Sequence, residues 1–436
     1  MNEALVNNNI HKSWNHGIII PIPKKPGVNG ELELYRPITL LEASRKIFTR
    51  ILTNRLNKYI KENQLLKGLN VGFQENKRAT DLGFAILRLN ELCRIKKINF
   101  EMLSLDVAKA YDSVSWSLLE RSINRINIPS SIIKVIQKLT NNRTLQIITT
   151  YGLTPKFNQN TGLSQGDIIS PLLWLIVYEP LLLRIKKEFK YIDKENNIKT
   201  SMYTVAIVDD LSLIATTKER LQEIVNLTAS WFNKTGIRVN TNKTVYILLK
   251  NNSEINWPRK NNEITTIKNN HDNNEPLRIL GNYLIPNRNT SSLINMVKET
   301  TKNIIKIYKN RYLSDKLIIY IVRVVIIPII EYKLTGHILT ISEVQSISSI
   351  YLKLLKHGLK LPSTFPLPIL HHPQGCKVPM LATRLETIAI NMMLRMYNGE
   401  GATTFKKLAK ELSNYTSKII KFLGEVLKHP NLITKK

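Results

Sequence analysis

Hydrophobic spacing marks out strands and helices in turn along the chain. Residues 17–23, GIIIPIP, read as a strand running into a basic loop, and 29–37, NGELELYRP, as its returning partner in a hairpin turned at Asn29–Gly30. Leu41, Ile47, Ile51, Leu52 and Leu56 recur at helical spacing with Arg and Lys between them, predicting a helix over 40–60, and a second is predicted over 79–95. A short apolar strand over 100–105 ends at Asp106. Helices follow over 116–126 and 130–139, then a strand pair at 145–151 and around Phe157. Residues 168–185 are apolar all round and long enough for a buried helix. Segments 203–208 and 211–215 flank Asp209–Asp210, which predicts a hairpin with two carboxylates at its tip. An amphipathic helix over 218–232 and a strand over 245–249 complete this part. Residues 251–274 hold 9 Asn in 24 positions and read as a long solvated loop or insertion. Beyond Pro286 the spacing is mostly helical, and no internal repeat is visible.

Charge changes this picture more than composition does. The 436 residues suggest two to three domains at about 150 residues each, and 43% hydrophobic residues suit a folded chain. Lys and Arg outnumber Asp and Glu by 63 to 33, a net charge of +30. Such an excess repels itself unless an anion neutralises it, so nucleic acid is the expected partner and an anionic membrane surface the second. Residues 286–436 carry 23 Lys or Arg against 8 Asp or Glu, half of the excess in the last third of the chain. Two cysteines, Cys93 and Cys376, exclude a disulfide framework and a multi-cysteine zinc module. HHPQGC, from His371 to Cys376, offers three zinc-type ligands without a fourth, and a proline-packed loop explains it as well. The N-terminal stretch lacks the apolar core of a signal peptide. The most apolar stretch, 168–183, holds two prolines and Glu179 and is shorter than the roughly 20 residues of a membrane span, so no membrane partner is expected.

Two carboxylate clusters carry the chemistry. LSLDVAKAYD, 103–112, and VAIVDDLSL, 205–213, each place Asp at the end of an apolar strand. A carboxylate beside a sheet interior is costly without a counter-ion. Three of them call for a cation, and hard oxygen ligands suit Mg²⁺ shared with substrate phosphates. Two such ions about 4 Å apart stabilise the attacking and leaving oxygens of an in-line phosphoryl transfer. An Asp-Asp pair in an exposed turn is the bland alternative for the second cluster alone.

With these residues in place the sequence resembles the reverse transcriptases of non-LTR (LINE-type) retrotransposons, and more distantly those of group II introns and retroviruses. GIIIPIPKKPG and YRPITLLEASRKIFTRILTNRL resemble the family's fingers motifs, and GFQENKRATDLGFAIL a segment typical of the non-LTR and intron branch. LSLDVAKAYDSVSW resembles palm motif A, GLSQGDIISPLLWLIVYEPLL motif B, AIVDDLSL motif C, GIRVNTNKT motif D and LRILGNYL the primer-grip motif. The resemblance implies an α+β right-hand polymerase with an antiparallel palm sheet and a helical, basic C-terminal region. Fingers and the N-terminal region would occupy 1–100, the palm 101–285, and the thumb or connection region 286–436. It implies Asp106 and Asp209 as metal ligands with Asp210 in support, and two Mg²⁺ ions for which Mn²⁺ could substitute. Tyr111 would exclude a 2′-OH from the incoming sugar, Gln165 and Gly166 would line the nucleotide pocket, and Arg36, assisted by Lys24 and Lys25, would clamp the triphosphate. Lys243 would be the acid that protonates departing pyrophosphate. Tyr111 also reads as a core aromatic, Lys24 and Lys25 as surface charges, and Lys243 as a solvated turn lysine.

The implied reaction adds dNTPs to a DNA primer 3′-OH on an RNA template, with the nucleus, or else the cytoplasm, as its place. Motif C departs from the family with Ile207 in the usual aromatic position, which bears on primer positioning. The chain is expected to lack the family's upstream endonuclease, its RNase H and its complete Cys-His knuckle. Two rival readings stand beside this one: a group II intron-type maturase, and a decayed element fragment that binds nucleic acid without catalysis.

Overall fold

A computed structural model describes residues 2–27, 30–68, 70–73, 78–189, 204–248, 254–260, 263–268, 275–279, 282–285, 289–309, 311 and 313–398. The first sheet is built on β1 (His16–Pro23), which pairs antiparallel with β2 (Tyr35–Leu41) and parallel with β5 (Arg143–Thr149). The expected return strand begins only at Tyr35, because Leu32–Leu34 form a 3₁₀ turn closed by Leu34 N–H donating to Glu31 O. Asn29 lies outside the described residues. The short strands β6 (Gly152–Leu153) and β7 (Phe157–Gln159) extend β5.

The second sheet is wholly antiparallel. Its order is β11 (Val245–Leu248), β3 (Glu101–Leu105), β9 (Asp210–Ala215) and β8 (Thr204–Ile207). β4 (Val107–Ala108) and β10 (Arg238–Val239) form a small ribbon at its end. Around the two sheets lie α1 (Asn2–Val6), α2 (Ala43–Glu62), α3 (Ala79–Ile95), α4 (Trp116–Asn124), α5 (Ser130–Thr140), α6 (Ser170–Glu188) and α7 (Lys218–Thr235). The expected all-apolar helix is α6, where Leu172 to Tyr178 are all buried. Glu179, in the middle of the helix, is buried too, and accepts hydrogen bonds from the backbone N–H groups of Lys67 and Gly68 at 2.5 and 2.8 Å. α7 is capped by Thr217, whose hydroxyl accepts from Arg220 N–H, and closed by Gly236 at φ +77°.

The expectation of a solvated loop over 251–274 fails, while that of an insertion is untouched. Described residues inside 251–274 form a hairpin of β12 (Glu254–Pro258) and β13 (Ile264–Lys268) rather than a loop. Ile255, Trp257 and Ile267 are buried on one face, and the Trp257 ring lies 6.0 Å from that of Phe232 on α7. Asparagine count signals solvation, but the alternation of EINWP and ITTIK supplies a buried face. The primer-grip segment is a further hairpin, β14 (Leu277–Ile279) with β15 (Asn282–Leu284).

Two hydrophobic cores result. The larger gathers residues from Ala4 to Leu284 together with Met392, Met393 and Met396. The smaller, from Ile285 to Leu385, joins α8 (Ser291–Lys309), α9 (Asp315–Tyr320), a π-helical stretch (Ile321–Ile326), α10 (Ile327–Leu334), α11 (Ile341–Gly358), α12 (Leu367–His371) and the first turns of α13 (Leu381–Asn398). α13 ties the cores together: Arg384 Nε and Nη2 meet the Glu331 carboxylate at 2.7 and 2.9 Å, and Arg395 Nη2 meets Asp81 at 2.8 Å. Between them His337 Nε2 donates to Tyr283 O at 2.6 Å, and burial holds that ring neutral by lowering its pKa to about 4. In the HHPQGC stretch His371 Nδ1 donates to Val378 O, and His372 Nδ1 accepts from Gln374 N–H, so both rings serve the local backbone. No described helix is long and apolar enough to cross a membrane.

Candidate active site

The site lies at one end of the antiparallel sheet. Pairing of β3 with β9 sets Leu105 opposite Leu211, so Asp106 and Asp210 each take the next step at the same end of neighbouring strands. Met102, Leu103, Leu105, Leu211, Leu213 and Ile214 are buried, and Asp106 and Asp210 stand where these apolar runs stop. Ile207 pairs with Asp210, which closes a two-residue turn of Val208 and Asp209. The hairpin tip is therefore Val208–Asp209, with Asp210 already in β9, a shift of one residue from the expected pair at the tip. Val208 has φ +60°, a conformation that a β-branched side chain rarely adopts. Ile207 packs against the larger core.

The three carboxylates crowd one another. Although the Asp210 side chain reaches solvent, loss of hydration lifts its carboxyl to about 6, helped by the charges of Asp209 and Asp106 and opposed by Arg278. Asp209 is also raised, first by burial and further by Asp106. Such crowding leaves negative charge uncompensated and fits a divalent cation. Among the described residues no group of three or more His, Cys, Asp or Glu is spaced to enclose a metal alone. An ion here would thus share its carboxylates with substrate oxygens and water, as Mg²⁺ does.

Tyr111 stands over this cluster. Its ring stacks on Trp174 at 5.9 Å, and burial, with the Asp209 charge, raises its hydroxyl well above the usual range. Beside it Asp112 is raised by burial, against the pull of Lys109, a hydrogen bond from Gln165 and the charge of Lys24. Sequence reasoning passed over Asp112; its place directly after Tyr111 was the available signal. Gln165 in turn is stapled to the first sheet, because its carbonyl accepts Thr39 N–H at 2.6 Å. Gly166, at φ +126°, passes so close to β2 that a Cβ there would stand 2.4 Å from Thr39 O. The loop carrying both is braced from below by the buried Arg45–Asp167 ion pair at 2.5 Å and by Arg143, which donates to Ser164 Oγ and Gly162 O.

The remaining expected residues sit on the rims. Arg36 is exposed on β2, paired with Ile22. Lys24 donates from Nζ to Glu33 O at 2.8 Å, and Lys109 pairs with the Glu33 carboxylate at 3.4 Å. Lys243 is exposed on the turn after β10, and that turn grips the Asp106 backbone: Asn240 N–H donates to Asp106 O at 2.8 Å. The fold thus brings Asp106, Asp209, Asp210, Tyr111, Asp112 and Gln165 together, with Arg36, Lys24 and Lys243 at the margins.

Comparison with known proteins bears on this arrangement. Residues 22–284 match the family described as reverse transcriptase (RNA-dependent DNA polymerase). The chain is 27% identical over 222 residues to a Pol polyprotein of the type-1 retrotransposable element R2 of Nasonia vitripennis, covering 50% of this chain and 20% of the relative. To the R2 Pol polyprotein of Popillia japonica it is 28% identical over 244 residues, covering 55% and 33%. The chain therefore spans no more than a third of the length of these curated relatives. Among solved structures it is similar to a telomerase of Candida tropicalis, at 16% identity and a TM-score of 0.47, covering 94% of this chain and 65% of that one.

Proposed function

Since the chain belongs to the reverse transcriptase (RNA-dependent DNA polymerase) family, we propose that it adds dNTPs to a primer 3′-OH on an RNA template, as the polymerase segment of a non-LTR retrotransposon. The observation that carries this reading is the convergence of Asp106, Asp209 and Asp210 at one sheet end beneath Tyr111 and Gln165.

The roles follow from position. Asp106 and Asp209 would hold two Mg²⁺ ions, whose charge stabilises the phosphoryl-transfer transition state, with Asp210 in support. The Tyr111 ring, fixed by Trp174, forms the floor under the incoming sugar and excludes a 2′-OH. Asp112 accepts from Gln165 and so orients its amide toward the nucleotide. Arg36, Lys24 and Lys109 give the opposite rim a positive face for the triphosphate. Lys243 supplies a proton to departing pyrophosphate. On this reading the first sheet is the fingers, the second the palm, and the helices from Ser291 the thumb. Nuclear residence belongs to the same proposal.

Primer extension tests it. With oligo-dT on poly-rA and Mg²⁺, wild type should extend the primer and Asp209→Ala should not. Binding of the template–primer without nucleotide addition, in either Mg²⁺ or Mn²⁺, would leave a non-catalytic nucleic-acid binder as the better account.

A further inference from the structure

The strained turn that carries Asp209 is held by a residue far from the carboxylate motifs. Asn70 is 2% exposed and uses both ends of its amide on Val208. Its Oδ1 accepts Val208 N–H at 3.1 Å, and its Nδ2 donates to Val208 O at 3.1 Å. Trp174 Nε1 donates to the same carbonyl at 2.7 Å. Both backbone polar groups of Val208 are thereby satisfied outside the hairpin, at the one turn residue with φ +60°.

The Asn70 segment is itself fixed on both sides. Val71 N–H donates to Ala206 O at 3.0 Å, in a parallel bridge between Asn70 and Ala206. Glu179 receives the Lys67 and Gly68 amides upstream. Asn70 Oδ1 also accepts Gly72 N–H at 3.0 Å, which orients the carboxamide. Gly72 permits the close approach, since a Cβ there would lie 2.8 Å from Val208 N. A backbone held in a sparsely populated region persists only where its surroundings over-determine it. Here the surroundings act on the residue directly before Asp209.

We infer that Asn70 is a positioning residue that, with Trp174, locks Val208 in its left-handed conformation and so aims the Asp209 carboxylate at the space it shares with Asp106 and Asp210. The inference rests on the proposed function for the assignment of Asp209 to metal, but its own content is the coupling between the Asn70 amide and the geometry of the turn.

Mn²⁺ serves as the probe, with binding followed by electron paramagnetic resonance alongside Mg²⁺-dependent primer extension. Asn70→Ala should raise the half-saturating Mn²⁺ and Mg²⁺ concentrations about 10- to 100-fold, the usual effect of losing a group that orients a metal ligand. Template–primer affinity should not change. Asn70→Asp keeps the shape and one acceptor but sets a carboxylate against Val208 O, so it should show the same shift, and it carries the comparison if the alanine variant folds poorly. Glycine adopts φ > 0 without steric cost, so Asn70→Ala should lose less in a Val208→Gly background than in wild type. Metal affinities in the Asn70 variants equal to wild type, or an Asn70→Ala loss that is undiminished beside Val208→Gly, would overturn the inference. A wild type that binds Mn²⁺ yet adds no nucleotide would defeat the polymerase reading alone, and the metal affinities would still decide the role of Asn70.

Discussion

Asp210 reaches solvent, yet loss of hydration and the charges of Asp209 and Asp106 lift its carboxyl from 3.8 to about 6. A carboxyl raised in the folded state favours folding below its unfolded pKa, and that advantage is lost as pH rises through the folded value. The metal-free chain should therefore lose stability between about pH 4 and pH 6 from this residue. Asp210→Asn removes the charge and should raise the melting temperature of metal-free protein at neutral pH, with the gain vanishing near pH 4. Added Mg²⁺ should narrow the gap by neutralising the wild-type cluster. A variant no more stable than wild type at neutral pH would mean that the carboxylates do not crowd one another. Stability given up for function is ordinary at such sites, and Val208 at φ +60° beside Asp209 is a second instance in the same turn.

The β12–β13 hairpin shows what an element adds beyond composition. Its polar residues face solvent, while Ile255, Trp257 and Ile267 cover α7. Gln222 on that helix both accepts from Asn256 N–H and donates to Asn256 O, at 2.9 and 2.6 Å, so the strand backbone at Asn256 helps dock the hairpin. An isolated two-stranded hairpin is marginal in water, so its order depends on this helix. Trp257→Ala should cost about 3 kcal/mol, the lower part of the range for deleting a buried aromatic, because an edge hairpin can partly collapse into the space. Chemical denaturation measures it, and a loss near zero would show that the hairpin does not pack on α7. The same logic applies to the loop bearing Gln165 and Gly166, which owes its place to Thr39 on β2 and to the buried Arg45–Asp167 pair.

For the whole molecule the governing quantity is net charge. An excess of +30 on 436 residues, with +15 of it in residues 286–436, suits the proposed nucleic-acid partner. A protein that neutralises 6–10 backbone phosphates should show log affinity falling against log salt with a slope of about −5 to −9. Fluorescence anisotropy on an RNA–DNA template–primer across a salt series would measure the slope. A value near −1 would mean that the lysines only solvate helix faces. The described parts of the two cores are bridged by α13 through Glu331–Arg384 and Asp81–Arg395.

Most helices and the strands ending at the carboxylates were legible in the chain itself, because their signals are local. The predicted helix over 79–95 matches α3, and the apolar runs 100–105, 203–208 and 211–215 match β3, β8 and β9 within a residue at each end. The resemblance of the motifs implies Asp106, Asp209, Asp210 and Gln165 as one functional set. Only the tertiary structure decided what lies far apart in sequence: the β3–β9 register that brings Asp106 beside Asp210, the Gln165 staple to Thr39, the burial of the Asn-rich hairpin, and the grip of Asn70 on Val208, 138 residues away. Each is a pairing of polar groups or surfaces across the fold. A one-dimensional pattern reports which face of an element is apolar, whereas which partner satisfies a buried amide depends on how the elements pack.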